Sequence, residues 1–333
     1  MRKVVSFACL LSFLPFLLSF TPKNYLAEYQ SPEGIRFVSD SQTWTEEALE
    51  ELYQELLRNE HGKELQTLRE VRIKGAANNG INGEYNPLSH VITLYNGDER
   101  STVESMRSVL SHEYGHHFAF YYIPQHILPI QTKWKTLRHA EDALSLSFWN
   151  YSTKGKYKWF TQEIFADDYV MLYGATAKVE KEAIENETVF QHMTKHENKD
   201  ISNVLENKAL QQYLEEVTGL KVDSNRIMQT PQLLDWNDDI VTFKVMQRND
   251  ILYRFAFDYY EGEPVPDNWV HRGYYTLLSD NHDTISIPLT ATMLEEQTDL
   301  VNKSVQISVE AVDVDTNLGM KTLVSTIEYS ASK

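Results

Sequence analysis

The chain is nearly without cysteine. Its 333 residues contain one, Cys9, so no intramolecular disulfide can form. Export without disulfides is compatible with a bacterial exported protein. Positive charge is also scarce. Against 48 Asp and Glu there are 31 Lys and Arg, a formal net charge of −17. Nucleic-acid binders carry a basic stripe, and proteins held by charge to an anionic membrane surface carry a basic cluster. The deficit argues against both, and it says little about substrate beyond a well-solvated surface. What is present suffices for packed cores: 42% of residues are apolar, and the length suggests about two domains.

The start of the chain has its own texture. Met1-Arg2-Lys3 precedes an apolar run from Val4 to Phe20, interrupted by Pro15. A positive patch followed by an apolar run reads as an export signal. As a helix the run spans roughly 25 Å, near the lower limit for crossing a bilayer. No A-x-A cleavage site follows, and Ser19-Phe20-Thr21 runs into Pro22. Residues 1–23 are therefore expected to be a signal peptide or an N-terminal anchor. The protein is expected to be secreted or extracytoplasmic, with membrane or cell-surface association where the segment is retained.

Within Val109-Leu110-Ser111-His112-Glu113-Tyr114-Gly115-His116-His117-Phe118 stands H-E-x-x-H. Val103, Met106, Val109, Leu110 and Phe118 recur at helical spacing, and Ser101, Thr102 and Glu104 are residues that start helices. Positions four apart share a helix face, so His112 and His116 can offer ring nitrogens to one metal ion. Glu113 lies beside the pair, placed for general-base work on water. This donor set suits zinc in a peptidase. His117 points about 100° away on a helix and is read as structural.

A catalytic zinc site needs three protein ligands. The longer pattern H-E-x-x-H-x-x-G-x-x-H is missing, because Ala119 and Tyr122 stand at its Gly and third His. Glu163 is the better third ligand. It lies in Trp159-Phe160-Thr161-Gln162-Glu163-Ile164-Phe165-Ala166-Asp167-Asp168-Tyr169, a second helical apolar pattern. Asp167, one turn on, can accept the second ring N–H of a ligating His. Asp168 is expected to face solvent.

Together these motifs resemble the gluzincin clan. The likeness is to the compact secreted bacterial branch that includes the anthrax lethal factor catalytic domain and the proline-specific clostridial endopeptidases. It covers roughly residues 35–220, and only the two helices carry it. The resemblance implies a zinc endopeptidase with a Tyr shortly before the Glu ligand that stabilises the tetrahedral intermediate. Tyr157 is the nearest match, one residue short in spacing, with Tyr151 as fallback. A neutral phenol is suited to donate to a developing oxyanion.

The order along the chain reads β-α-β-β-α, the last helix being the one that carries H-E-x-x-H. Ile35–Val38 is a strand, Leu49 to Leu57 an amphipathic helix after the capping pattern Thr43-Trp44-Thr45-Glu46, and Leu68–Lys74 a strand. Gly75–Pro87 is a turn or hairpin region, whose Asn78-Asn79-Gly80 loop could overhang a cleft. His90–Tyr95 is expected to be the cleft-edge strand that pairs with an extended peptide or protein substrate. Residues 124–158 form an insertion along the cleft. Its Trp134 and Trp149, with Trp159 just beyond, are read mainly as core, and His139 with Glu141 as a solvated face. Residues 178–220 are charged and helical. From Leu233 short alternating segments follow one another, among them Val241–Val245, Tyr253–Phe257, Ile285–Ile287 and Val305–Val309.

The expected fold class is α+β. A zincin-like domain over 24–225, with a small mixed sheet, the active-site helix and a helical C-terminal subdomain, precedes an all-β sandwich over 233–333. Val305–Asp313 followed by Asn317-Leu318-Gly319 resembles the late strands of a fibronectin type III module. The expected function is an extracytoplasmic Zn2+-dependent endopeptidase. Its rivals are a non-catalytic exported binding protein that uses the zinc domain as scaffold, and a cell-wall amidase. Oligomeric state is not legible.

Overall fold

The structure, a computed structural model, describes residues 25–141, 143, 157–237, 240–261, 269–289, 292 and 303–328. The expected N-terminal signal or anchor, Cys9, Trp149 and Tyr151 lie outside the described residues. No helix among the described residues is long and apolar enough to cross a membrane.

The N-terminal half is built on a five-stranded mixed sheet. Its strands are β1 (Ala27–Gln30), β2 (Arg36–Ser39), β3 (Glu70–Ile73), β4 (Gly83–Asn86) and β5 (Val91–Leu94), in the order β1-β2-β3-β5-β4. β2, β3 and β5 run parallel, and β1 and β4 pair antiparallel at the two edges. β1 was not anticipated from sequence, since its four residues alternate only between half-buried and exposed. The cleft-edge expectation for residues 90–95 is corrected. β5 has β3 on one side and β4 on the other, so its backbone is already paired, and among the described residues β4 is the outer strand on that side.

Helix α1 (Glu46–Leu57) begins at Thr45, whose hydroxyl accepts from the Ala48 N–H. Glu46 and Glu47 sit in its first turn, where the helix dipole favours negative charge. Leu49, Leu52, Tyr53 and Leu56 are buried at helical spacing. Asn59 closes the helix by donating to the Leu56 carbonyl at 2.9 Å. Its side-chain oxygen accepts from Ser111 Oγ at 2.6 Å and from the Ala175 N–H at 2.9 Å, tying three segments together. Helix α2 (Val103–Tyr122) starts at Thr102 by the same type of cap and ends at Ile123, before Pro124. Both helices pack on the sheet, α1 on β1 and β2 and α2 on β4 and β5.

Helices α3 (Lys133–Arg138), α4 (Thr161–Tyr173), α5 (Lys181–Glu185), α6 (Val189–His192) and α7 (Lys208–Thr218) follow. Trp134 on α3 is fully buried against Phe165 of α4, as expected for a core residue. His139 and Glu141 are exposed.

The C-terminal half is two antiparallel sheets. One has the order β10-β7-β6, formed by β6 (Gln232–Trp236), β7 (Ile240–Lys244) and β10 (Thr284–Pro288). The other has the order β12-β11-β8-β9, formed by β8 (Ile251–Glu261), β9 (His271–Leu278), β11 (Lys303–Asp313) and β12 (Gly319–Glu328). Alternate residues point inward. Val241, Phe243, Ile285 and Ile287 of the first sheet are buried, as are Phe255, Phe257, Ile307 and Val309 of the second. The Phe243 and Phe255 rings meet at 4.6 Å between centroids, so the two inner faces share one core. The chain is thus mixed α+β with three sheets and seven α-helices among the described residues.

Candidate metal centre

Two helices make the site, and one glycine lets them meet. Gly115 of α2 lies against Ala166 and Tyr169 of α4. A Cβ there would stand 2.9 Å from the Ala166 carbonyl oxygen and 3.1 Å from Tyr169 Cβ. With no Cβ the backbones approach closely, and Glu163 of α4 comes within reach of both histidines of α2. His112 Nε2 lies 3.2 Å and His116 Nε2 3.6 Å from Glu163 Oε2. One donor atom from each of His112, His116 and Glu163 can be chosen so that all lie within 4.8 Å of one another. Two imidazoles and one carboxylate converging this closely fit the donor set of a zinc ion.

The electrostatics follow from burial. Glu113 is buried, and loss of water raises its carboxyl pKa above the ordinary value, with the two histidines acting in the opposite direction. Burial would also raise the carboxyl of Glu163, but the neighbouring His116 and His112 outweigh it and hold it well below the carboxylate range. For His112, burial alone would lower the pKa, yet hydrogen bonds to Asp167 and Glu163 raise it well above the ordinary imidazole value.

Asp167 stands behind His112, as its spacing to Glu163 implied. Its Oδ1 lies 3.0 Å from His112 Nδ1. Its Oδ2 accepts from the Glu197 N–H at 2.9 Å and lies 3.5 Å from His196 Nδ1. The bond to Nδ1 directs Nε2 toward Glu163, the orientation a metal-ligating histidine requires.

Asp168 is not solvated, contrary to expectation. It is 1% exposed and accepts from Arg138 Nε at 2.8 Å and 3.0 Å. Arg138 is fully buried and also donates to the Ser202 carbonyl at 2.7 Å. Asp168 sits on the flank of α4 that packs against α3, and sequence spacing alone could not name that partner.

Tyr157 lies at the cleft. The residue is 46% exposed, with its hydroxyl end the desolvated part and close to the Glu163 carboxylate. Burial of that end, then the charge of Glu163, raises the phenol pKa, so it remains a neutral donor.

His117 is structural, as its helical angle implied. Its ring is buried, with Nε2 donating to the Glu64 carbonyl at 2.9 Å and Nδ1 accepting from the Tyr85 hydroxyl at 2.9 Å. Tyr85 belongs to β4, so His117 ties the edge strand to the metal-site helix. Gly83 on β4 passes so near Glu113 that a Cβ would stand 2.6 Å from Glu113 Oε1.

His112, Glu113, His116, Tyr157, Glu163 and Asp167 border one cleft of about 1860 Å³. Asn79 and Gly80, expected to overhang it, line it together with β4, Ile127 and Tyr157. The segment from His192 to Val204 lines it as well. His196 and Glu197 in that segment went unnoticed in the sequence. Both are common polar residues in a charged stretch, and only the fold carries them to Asp167. In comparisons with known proteins, no protein-family model and no curated protein matches the chain.

Proposed function

We propose that the protein is an extracytoplasmic zinc-dependent endopeptidase, with a zincin-like N-terminal domain and a fibronectin type III-like C-terminal sandwich. The observation that carries the reading is the convergence of His112, His116 and Glu163 beside a buried Glu113, in a cleft bordered by an outer strand of the sheet. A zinc ion held by that triad would supply Lewis acidity and lower the pKa of water there.

The chain's own residues do the rest. The backbone of β4, an outer strand with no strand on its far side among the described residues, pairs with an extended peptide and lays it across the triad. Glu113 accepts the proton of the attacking water and passes it to the leaving amine. Its raised pKa brings it nearer neutrality, where one group can both take and return a proton. Tyr157 turns from Glu163 to donate to the oxyanion. Asp167 keeps the His112 ring in place.

Glu113→Gln tests this. The variant should retain zinc and lose peptide cleavage by roughly 10²–10⁴-fold, the usual worth of a general base. Metal content and cleavage of a proteome-derived peptide library are the two readouts. Parental cleavage by the variant would overturn the mechanism. A zinc-loaded parent that cleaves nothing would favour a non-catalytic binding protein.

A further inference from the structure

The cleft does not end with the N-terminal elements. Thr230 and the first residues of β12, Gly319, Met320, Lys321 and Thr322, also line it. β12 is an outer strand of its four-stranded sheet, as β4 is of the five-stranded one. Two edge strands from distant parts of the chain therefore border the cleft that holds His112, His116 and Glu163.

The start of β12 is fastened there. The Thr194 N–H donates to the Asn317 carbonyl at 2.9 Å, and the Gly319 N–H donates to the Thr194 carbonyl at 2.8 Å. A side chain at Gly319 would collide with Met193. Asn203 Nδ2 donates to the Met228 carbonyl at 2.8 Å and lies 3.3 Å from Met320 Sδ. The same segment reaches the metal centre, where the Glu197 N–H holds Asp167. Beneath it Val179, Val189, Phe190 and Met193 pack with Leu252 of β8 and Val312 of β11. The Arg254 guanidinium lies 4.2 Å from the centre of the Phe190 ring. An apolar joint of this kind opposes the swinging expected between loosely linked domains.

Size selects the occupant. A small-molecule site takes roughly 300–1,000 Å³, and this cleft has about 1860 Å³. A peptide that spans only the triad would leave the β12 end empty.

We propose that the start of β12 is the distal wall of the substrate groove. The substrate is a long extended polypeptide segment whose residues remote from the scissile bond contact Lys321 and Thr322. This rests on the peptidase reading and deepens it, because it makes the C-terminal sheet a part of substrate recognition.

The test uses the zinc-loaded full chain. A long peptide found by library cleavage is compared with a shortened form that keeps only the residues around the cut. Thr322→Trp should lower kcat/KM on the long peptide by about tenfold, the scale of one side-chain contact, and by less on the short one. Thr322→Ala, which removes the contact without adding bulk, should act in the same direction and covers the case in which the Trp variant fails to fold. Equal kcat/KM for parent and variants on both peptides would overturn the wall. So would an equal loss on both peptides with zinc content unchanged. If the zinc-loaded parent cleaves no peptide, the peptidase reading itself fails and the wall falls with it, an outcome distinct from a cleaving parent with indifferent variants.

Discussion

Asp167→Asn is the sharpest probe of how the proposed metal centre is held. Asp167 serves two donors at once, Nδ1–H of His112 at 3.0 Å and the Glu197 N–H at 2.9 Å. A carboxylate offers an acceptor to each, whereas an amide has one oxygen and one NH2. With the oxygen toward Glu197, the NH2 faces His112 Nδ1 and favours the tautomer with a hydrogen on Nε2, which cannot ligate. With the oxygen toward His112, two N–H groups confront each other at Glu197, and Asp167 is buried. Either orientation forfeits one charge-assisted hydrogen bond, worth about 1.5–3 kcal/mol. Zinc affinity should therefore fall about 10–100-fold. Competition against a chromogenic chelator measures it, with thermal melting of the metal-free protein as control for folding. If the Asn variant binds zinc as tightly as the parent, Asp167 does not orient His112 and the account of the centre is wrong.

Other perturbations test the scaffold. Gly115→Ala should push α2 from α4, lower stability by about 1–3 kcal/mol as overpacked cores do, and weaken zinc binding; denaturation and metal titration report both. Arg138→Met strands the charge of Asp168 in the interior and should cost about 3–5 kcal/mol in urea denaturation, with much of the loss recovered in Arg138→Met/Asp168→Leu. Acid stability is the third. Burial lowers the pKa of His126 to about 4. Its Nδ1–H donates to the Ile123 carbonyl at 2.7 Å, leaving Nε2 as the group that would gain a proton. The unfolded chain takes that proton near pH 6.5 and the folded one only near 4, so the stability is full above about pH 6.5 and is lost as pH falls through 4. Across that window the shift amounts to about 3 kcal/mol. In metal-free protein, the urea midpoint of His126→Gln should fall less steeply than the parent's between those pH values; parallel slopes would refute the assignment.

Much of the site could be read from residue spacing alone. His112, Glu113 and His116 are neighbours by helical geometry, a local property, and Glu163 and Asp167 share a face for the same reason. Helix α1 and the inward alternation of β7, β8, β10 and β11 were legible because each pattern repeats within a few residues. What required the fold were pairings across the chain. Strand order is set by which backbones hydrogen-bond, and a four-residue strand such as β4 or β5 carries no mark of being edge or centre. Hence, among the described residues, Gly83–Asn86 is an outer strand of the sheet and residues 90–95 are interior to it. Asp168 and Arg138 each look like surface charges, and only their meeting makes burial tolerable. Gly115 in the motif is a helix-weakening residue by propensity, and its use appears only when Ala166 is set against it. The sequence alone thus determined which donor atoms could face one metal ion. The tertiary structure decided how close they come, which strand lies outermost, and that β12 borders the same cleft, because these depend on contacts between residues far apart in the chain.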